Sequence, residues 1–278
     1  MQINVLVNTN FAAGLRDAAG HVINGPVSWL SYAYRFQQLP LGLFGIPIAA
    51  AALPRISRSA AQGNMDEFRD VLAQSIVTIL LTTVPASVGL AILGESMIGI
   101  VYQHGRFLAS DTHQTAVALS CYSIGLAAFA LMKLIAPAFY ALGDSRTPML
   151  VGMASVVVNG VTAFTAVRFL GFGHAGLALS LSIVCIFNVA ALLTLLSSRI
   201  GGIRGGEIAM SFVKILGASA AMGFACALVP RLTHSRVLIV AVGVPAGAAV
   251  FYAAASALRV PELASARAAI LGKPRPRR

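Results

Sequence analysis

The sequence predicts an all-α polytopic membrane protein, a transmembrane helical bundle of about eight membrane segments. Three observations support this prediction. Hydrophobic residues make up 58% of the chain, and charged residues make up only 10%, whereas a soluble domain has about 25% charged residues. The mean hydropathy is +0.82. Long apolar runs follow one another between short polar turns, and a helix needs about 20 apolar residues to cross a bilayer.

The apolar runs give the predicted elements in chain order. We expect helices over residues 1–15, 27–54, 71–93, 115–142, 148–170, 175–196, 208–229 and 237–258. All but the first are long enough to span, and the first holds only about 15 residues, so we expect it to be a truncated helix. Residues 1–200 are predicted to form one transmembrane bundle, 201–258 two further transmembrane helices, and 259–278 a basic cytoplasmic tail.

The turns between the runs carry signals for helix starts. Asn64 followed by Glu67 resembles a capping box, so the third helix is predicted to begin before it enters lipid. The polar stretch 144–148 ends in a proline, which suits the first turn of a helix. Glycine-rich turns are predicted at 171–176 and 200–206.

The second run carries the most informative residues. Ser28, Tyr32 and Arg35 recur at helical spacing and therefore share one face. An arginine at membrane depth costs at least about 2.5 kcal/mol, so such residues usually face a water-filled cavity or a partner. Pro40 and Pro47 each remove a backbone donor, which predicts a bend. We interpret the run as a bent helix that directs a cation inward; the alternative is an arginine that extends to the membrane surface.

Lys133 is the second cation within an apolar run. Pro137 cannot donate to the carbonyl of Lys133, so a charge and a free carbonyl coincide at a predicted kink. One interpretation of this pattern is a binding role. The alternative is a lysine that reaches the nearby interface.

Neutral polar residues recur within the membrane runs. Asn4 and Asn8 share a face of the first helix, and a second set shares a face of the fifth: Ser155, Asn159 and Thr162. Such residues in membrane helices most often hydrogen-bond between helices.

The distribution of lysine and arginine predicts the orientation. If the first helix runs outward, one side holds Arg55, Arg58, Arg69, Arg146, Arg199, Arg204 and the tail, and the other holds Arg16, Arg106, Arg168, Arg231 and Arg236. The basic tail then favours a cytoplasmic C-terminus, because cytoplasmic segments carry the excess of positive charge.

The composition excludes several functional classes. The net charge of +11 lies at the ends of apolar runs and in the tail, which indicates anionic lipid headgroups rather than nucleic acid. Cys121, Cys185 and Cys226 have no short spacing and indicate apolar packing. The sequence has no P-loop, no HExxH and no acidic residue deep in a membrane run, which argues against an enzyme, a metal or a cofactor. Two cations among neutral polar groups suit non-covalent binding of an anionic group such as a phosphate.

These residues resemble a known family. The stretches at 2–15, 28–58, 95–107, 133–148 and 174–180 are similar, in this order, to the MurJ (MviN) lipid II flippases of the multidrug/oligosaccharidyl-lipid/polysaccharide exporter superfamily. Beyond residue 200 the similarity is mainly one of hydropathy.

The resemblance implies a function and a set of site residues. It implies a fourteen-helix transporter of two lobes that flips undecaprenyl-pyrophosphate-linked peptidoglycan precursor, lipid II, across the bacterial inner membrane. This chain looks like the second lobe plus the last two helices, without the N-terminal lobe. Arg35 matches a cavity arginine of the eighth helix that contacts the pyrophosphate, and Ser28 matches a cavity-lining serine. Tyr32 and Lys133 are added to the expected substrate-binding set from their own positions in the apolar runs and not from the resemblance.

Two departures from the family pattern concern charge. Family members often carry acids at the positions of Tyr34 and Gln38, so Arg35 lacks its usual nearby carboxylates. Asn8 and Asn159 match positions that bind sodium in some relatives, but neither is charged, which argues against a sodium site. The alternatives to lipid II flipping are export of another polyprenyl-linked saccharide or of drugs, and a membrane fragment without transport activity.

Overall fold

The computed structural model describes residues 2–14, 25–169, 171–233 and 235–258. All regular elements within these ranges are helical: α1 (Gln2–Ala13), α2 (Pro26–Pro40), a π-helical turn (Leu41–Gly45), α3 (Ile46–Ala61), α4 (Met65–Tyr102), α5 (Ala109–Ala141), α6 (Arg146–Arg168), α7 (Gly173–Arg199), α8 (Gly205–Leu232) and α9 (Arg236–Ala257). Within the described ranges, 7 spans are long and apolar enough to cross a membrane, and α2 to α3 together form one of them. The all-α polytopic prediction is confirmed. The predicted tail lies outside the described residues, and the division into domains stays a prediction.

A π-helical turn lies where the sequence predicts a bend in the second run. Residues Leu41–Gly45 form this turn between Pro40 and Pro47, and the N–H of Ile46 bonds to a carbonyl five residues back. Both prolines lack an N–H, so the α-helical ladder is already interrupted on each side of the turn. Single π-helical turns of this kind are frequent at functional sites.

Helix α5 lies at the centre of the bundle, packed against α4 and α7, with α2 and α3 against its other sides. Small residues bring the backbones together. A Cβ on Gly125 would lie 2.6 Å from the Cα of Ser182, and the Ser182 hydroxyl donates to the carbonyl of Cys121 at 2.7 Å. Helices α8 and α9 pack on each other and on α4, and a Cβ on Gly247 would lie 2.7 Å from the Sγ of Cys226.

Polar side chains set the starts of two helices. The cap predicted at Asn64 is confirmed, because its Oδ1 accepts a hydrogen bond from the backbone N–H of Glu67 at 3.2 Å. Helix α6 begins at Arg146, two residues before the predicted start at Pro148. The reason is Asp144, whose Oδ1 accepts from the first two backbone N–H groups of α6, each at 3.0 Å.

Basic residues lie at the two ends of the bundle, grouped as the sequence predicts. At one end, three arginines pair with acids of neighbouring elements: Arg55 with Glu67, Arg199 with Asp144, and Arg204 with Asp70. Arg69 pairs within α4, with Asp66 three residues earlier. At the other end, Arg236 donates to the side chain of Gln103. Which end faces the cytoplasm stays a prediction.

Candidate functional site

Helix α2 presents Ser28 and Arg35 away from the bundle, because its opposite face is held against α5. The indole Nε1 of Trp29 donates to Asp111 at 2.8 Å. Two residues after Arg35, the amide of Gln37 donates to the backbone carbonyl of Tyr122 in α5 at 3.0 Å. At 1.5 Å per residue, Arg35 lies about 14 Å along α2 from its first residue. A cation at this position in a membrane span is therefore directed to a surface outside this bundle.

Arg35 contacts an aromatic ring and no acid. Its Cζ lies 5.9 Å from the ring centroid of Tyr32, within the distance at which cation–π attraction acts. Within the described ranges, Arg35 has no carboxylate partner. The Tyr32 ring packs in turn on Tyr102, at a centroid distance of 4.5 Å, and on Phe107, at 5.5 Å. The guanidinium thus has a fixed neighbour while its charge is not neutralised.

Tyr34 and Gln38 occupy the two positions where family members often carry acids. The Tyr34 ring packs between Tyr122 and Phe129 of α5, with centroid distances of 6.0 and 6.4 Å. Tyr34 also hydrogen-bonds with Gln38. Both residues are neutral, so they supply no counter-charge to the arginine.

Lys133 repeats the arrangement seen at Arg35. Its side chain is exposed, and its Nζ lies 5.4 Å from the ring centroid of Phe129. Among the described contacts, none joins Lys133 directly to Arg35; the link between the two helices runs through the rings of Phe129 and Tyr34. Ser28, Tyr32 and Arg35 therefore share one face, and Lys133 lies on a separate exposed part of α5.

The asparagines proposed from sequence form a buried network between α1, α6 and α7. The amide of Asn159 donates to the Oδ1 of Asn8 at 3.0 Å, and the hydroxyl of Ser180 donates to the Oδ1 of Asn159 at 3.3 Å. The amide of Asn4 donates to Ser155 at 3.3 Å. Both amide oxygens of the Asn8–Asn159 pair are thus occupied by donors, and the described residues contain no cluster of three or more His, Cys, Asp or Glu that suits a metal. The contacts support interhelical bonding; a sodium role stays an untested prediction.

Sequence reasoning missed the contact that holds the first turn of α2. Asp111 accepts from Trp29 with one carboxylate oxygen and from the backbone N–H of Leu108 with the other, at 2.8 and 2.9 Å. The place of Asp111 in the first turn of α5 marks it as a capping residue. Nothing local marks its second partner, because Trp29 lies 82 positions earlier in the chain.

The arrangement suits attraction of an anion. Arg35 and Lys133 each rest near a ring, both are exposed, and neither is neutralised by a carboxylate within the described residues. A guanidinium offers a planar fork of donors that matches phosphate oxygens, whereas an ammonium acts as a point charge. Together the fold and these side chains define a multi-pass α-helical membrane protein with exposed cations within two of its candidate membrane spans.

The family of this protein follows from comparison with known proteins. The family described as lipid II flippase MurJ matches residues 1–244 of this chain. The chain belongs to this family, which confirms the resemblance found in the sequence.

Individual relatives agree with this assignment. The probable lipid II flippase MurJ of Vibrio cholerae is 35% identical over 191 residues, which cover 69% of this chain and 35% of that protein. The probable lipid II flippase MurJ of Haemophilus influenzae is 31% identical over 230 residues, covering 81% and 43%. A solved structure of lipid II flippase MurJ in an inward closed conformation aligns with a TM-score of 0.76 and 27% identity, covering 92% of this chain and 50% of that one. The chain thus spans half or less of the length of these relatives.

Proposed function

We propose that this chain forms the second lobe and the last two helices of a lipid II flippase. The cargo is the undecaprenyl-pyrophosphate-linked peptidoglycan precursor, and the site is the bacterial inner membrane. The family assignment and the names of the relatives support this proposal. The observation that carries it in this chain is Arg35, an exposed arginine at membrane depth without a carboxylate partner among the described residues.

The proposed roles follow from the chemistry of each side chain. Arg35 attracts the pyrophosphate through its fork of donors, and Ser28, on the same exposed face, lines the path. Lys133, eight residues before the end of α5, adds a second positive charge. None of these groups forms a bond to the cargo, so the protein acts as a transporter and not as an enzyme.

Transport by alternating access needs a second lobe, because the cavity lies between two bodies that rock against each other. The solved relative is about twice as long as the region that this chain matches. We propose that the N-terminal lobe of the same protein is the partner that covers the exposed face of α2, and that membrane lipids cover the remaining apolar surface.

The test is complementation by the full-length protein in a strain depleted of its flippase. Arg35→Ala is expected to abolish growth and export of lipid II while membrane abundance stays normal. Arg35→Lys is expected to support growth partly, because it keeps the charge and loses the fork. Arg168→Ala is the matched control, since Arg168 is an exposed arginine in the last turn of α6.

The outcomes separate the alternatives. Full growth with Arg35→Ala contradicts a cavity role and favours an arginine that reaches the membrane surface. Accumulation of a different polyprenyl-linked saccharide, with normal lipid II export, identifies an exporter for that saccharide. Normal growth of the depleted strain on residues 1–278 alone contradicts the need for a second lobe.

A further inference from the structure

The ring that lies beside Arg35 belongs to a cluster built from three parts of the chain. Tyr32 comes from α2, Tyr102 from the last residue of α4, and Phe107 from the turn before α5. The Tyr32–Phe107 pair is edge-to-face, with an interplanar angle of 87°. Phe36, one turn along α2, packs edge-to-face on Tyr102 at 5.7 Å. Contacts on more than one side fix the plane of the Tyr32 ring relative to the bundle.

An aromatic partner differs from an acidic one in its effect on charge. A carboxylate beside Arg35 would hold the guanidinium and also cancel most of its positive charge. The face of the Tyr32 ring attracts the cation through its quadrupole and carries no net charge. The full positive charge therefore remains available to an anion that approaches from the exposed side of α2.

The same arrangement recurs at the second cation. Lys133 lies 5.4 Å from the ring of Phe129, and Phe129 packs on Tyr34. Arg35 and Lys133 are thus each close to a ring and not to an acid in the described part of the chain. A ring beside an uncompensated cation therefore occurs at two separate positions of the bundle.

We propose that Tyr32 is a positioning residue for Arg35, with Tyr102 and Phe107 as its support, in the binding of a pyrophosphate-bearing lipid. This inference rests on the proposed function, because it assigns Tyr32 a role through Arg35 and not through direct contact with the cargo. A positioned guanidinium loses less side-chain entropy when it binds than a free one does. Removal of the ring therefore weakens anion binding even though the charge stays in place.

The experiment measures binding of undecaprenyl pyrophosphate to the purified full-length protein in nanodiscs. Tyr32→Phe keeps the ring face and is expected to bind within about twofold of wild type, whereas Tyr32→Leu weakens binding about two- to tenfold, which corresponds to the cost of immobilising one long side chain. In an Arg35→Ala background, Tyr32→Leu is expected to have no further effect. Undecaprenol, which has no phosphate, tests whether the loss concerns the anion, and Tyr140→Leu is the control at an exposed tyrosine.

A second variant keeps the test informative if Tyr32→Leu does not fold. Phe107→Leu removes one support of the ring and is expected to weaken binding in the same direction, again only when Arg35 is present. An equal loss with Tyr32→Leu in the Arg35→Ala background shows direct contact with the lipid and overturns the inference. An equal loss for undecaprenol shows a purely structural role and overturns it too.

The two proposals fail in different ways. If Arg35→Ala binds undecaprenyl pyrophosphate normally, the cavity role of Arg35 fails and the inference falls with it. If Arg35→Ala weakens binding while Tyr32→Leu does not, only the role of Tyr32 fails.

Discussion

Asp144, in the turn between α5 and α6, forms an ion pair with Arg199 at the end of α7. The same carboxylate accepts hydrogen bonds from the hydroxyl and the backbone N–H of Thr147, at 2.6 and 3.0 Å. The hydroxyl bond, the backbone bond and the charge of Arg199 together lower the pKa of Asp144 below its ordinary value. One side chain therefore caps α6 and also ties its start to the end of α7.

Asp144→Asn is expected to lower the midpoint of thermal unfolding of the purified protein. The stabilisation that depends on the charge of Asp144 is complete above the ordinary carboxyl pKa of about 3.9. It is lost as the pH falls through the lower folded pKa. The difference between wild type and Asp144→Asn should therefore be constant near neutral pH and shrink in strong acid. Asp66→Asn, at a carboxylate whose side chain is 92% exposed, is the control and should change little. A difference that grows in acid contradicts this assignment.

The arrangement of turns predicts a topology that labelling can test. Cysteines placed at Gly63 and Ser145 are expected to react with an impermeant thiol reagent from the side opposite to Gly105 and Gly173. The ion pairs lie at one end of the bundle. That end carries the excess of positive charge once the basic tail is counted with it, which assigns it to the cytoplasm. The parent protein, whose Cys185 and Cys226 are buried, gives the background. Labelling of positions 63 and 105 from the same side of intact cells contradicts the helix count.

The features predicted correctly from sequence are those set by local chemistry. The spans follow from runs of apolar residues, and the Asn64 cap follows from a pattern of four adjacent positions. The interruption of the second span follows from Pro40 and Pro47, because a missing N–H is a property of the residue itself. The π-helical form of that interruption did not follow, since the neighbouring helices decide how the freed backbone is accommodated.

The contacts of the candidate site depend on partners far apart in the chain. Spacing placed Tyr32 and Arg35 on one face, but the rings of Tyr102 and Phe107 reach that face only when α4 and α5 are packed beside α2. The pairing of Trp29 with Asp111 has the same origin. Sequence patterns therefore predicted which residues share a helix face, and tertiary packing decided what each of them contacts.

The asparagine network is expected to stabilise the bundle without binding sodium. Asn159→Ala removes the bond to Asn8 and should lower the free energy of unfolding by about 1 kcal/mol, since interhelical hydrogen bonds in membranes average about 0.6 and reach about 1.7 kcal/mol. Thr162→Val on the same helix is the control, because among the described residues the Thr162 hydroxyl bonds only to carbonyls of its own helix. Sodium should leave the unfolding midpoint of both proteins unchanged. A sodium-dependent rise that Asn159→Ala abolishes would show an ion site here.

Gly125→Ala is expected to destabilise the contact between α5 and α7. The new Cβ would lie 2.6 Å from the Cα of Ser182 and 2.8 Å from its Oγ. Backbone cannot move as a flexible side chain does, so the two helices must separate. Separation also lengthens the 2.7 Å hydrogen bond from Ser182 to the carbonyl of Cys121. Overpacking of this kind typically costs about 1–3 kcal/mol.

Gly160→Ala is the matched control for this substitution, since Gly160 is also helical and a Cβ there meets nothing within 4 Å. Replacing a helical glycine by alanine without a clash favours the helix by about 0.5–1 kcal/mol. The two variants should therefore shift the unfolding midpoint in opposite directions in the same detergent. Because α5 lies between the helix that carries Arg35 and the rest of the bundle, Gly125→Ala should also weaken the bond from Gln37 to α5. Equal midpoints for the two variants would contradict a backbone contact between α5 and α7 at this position.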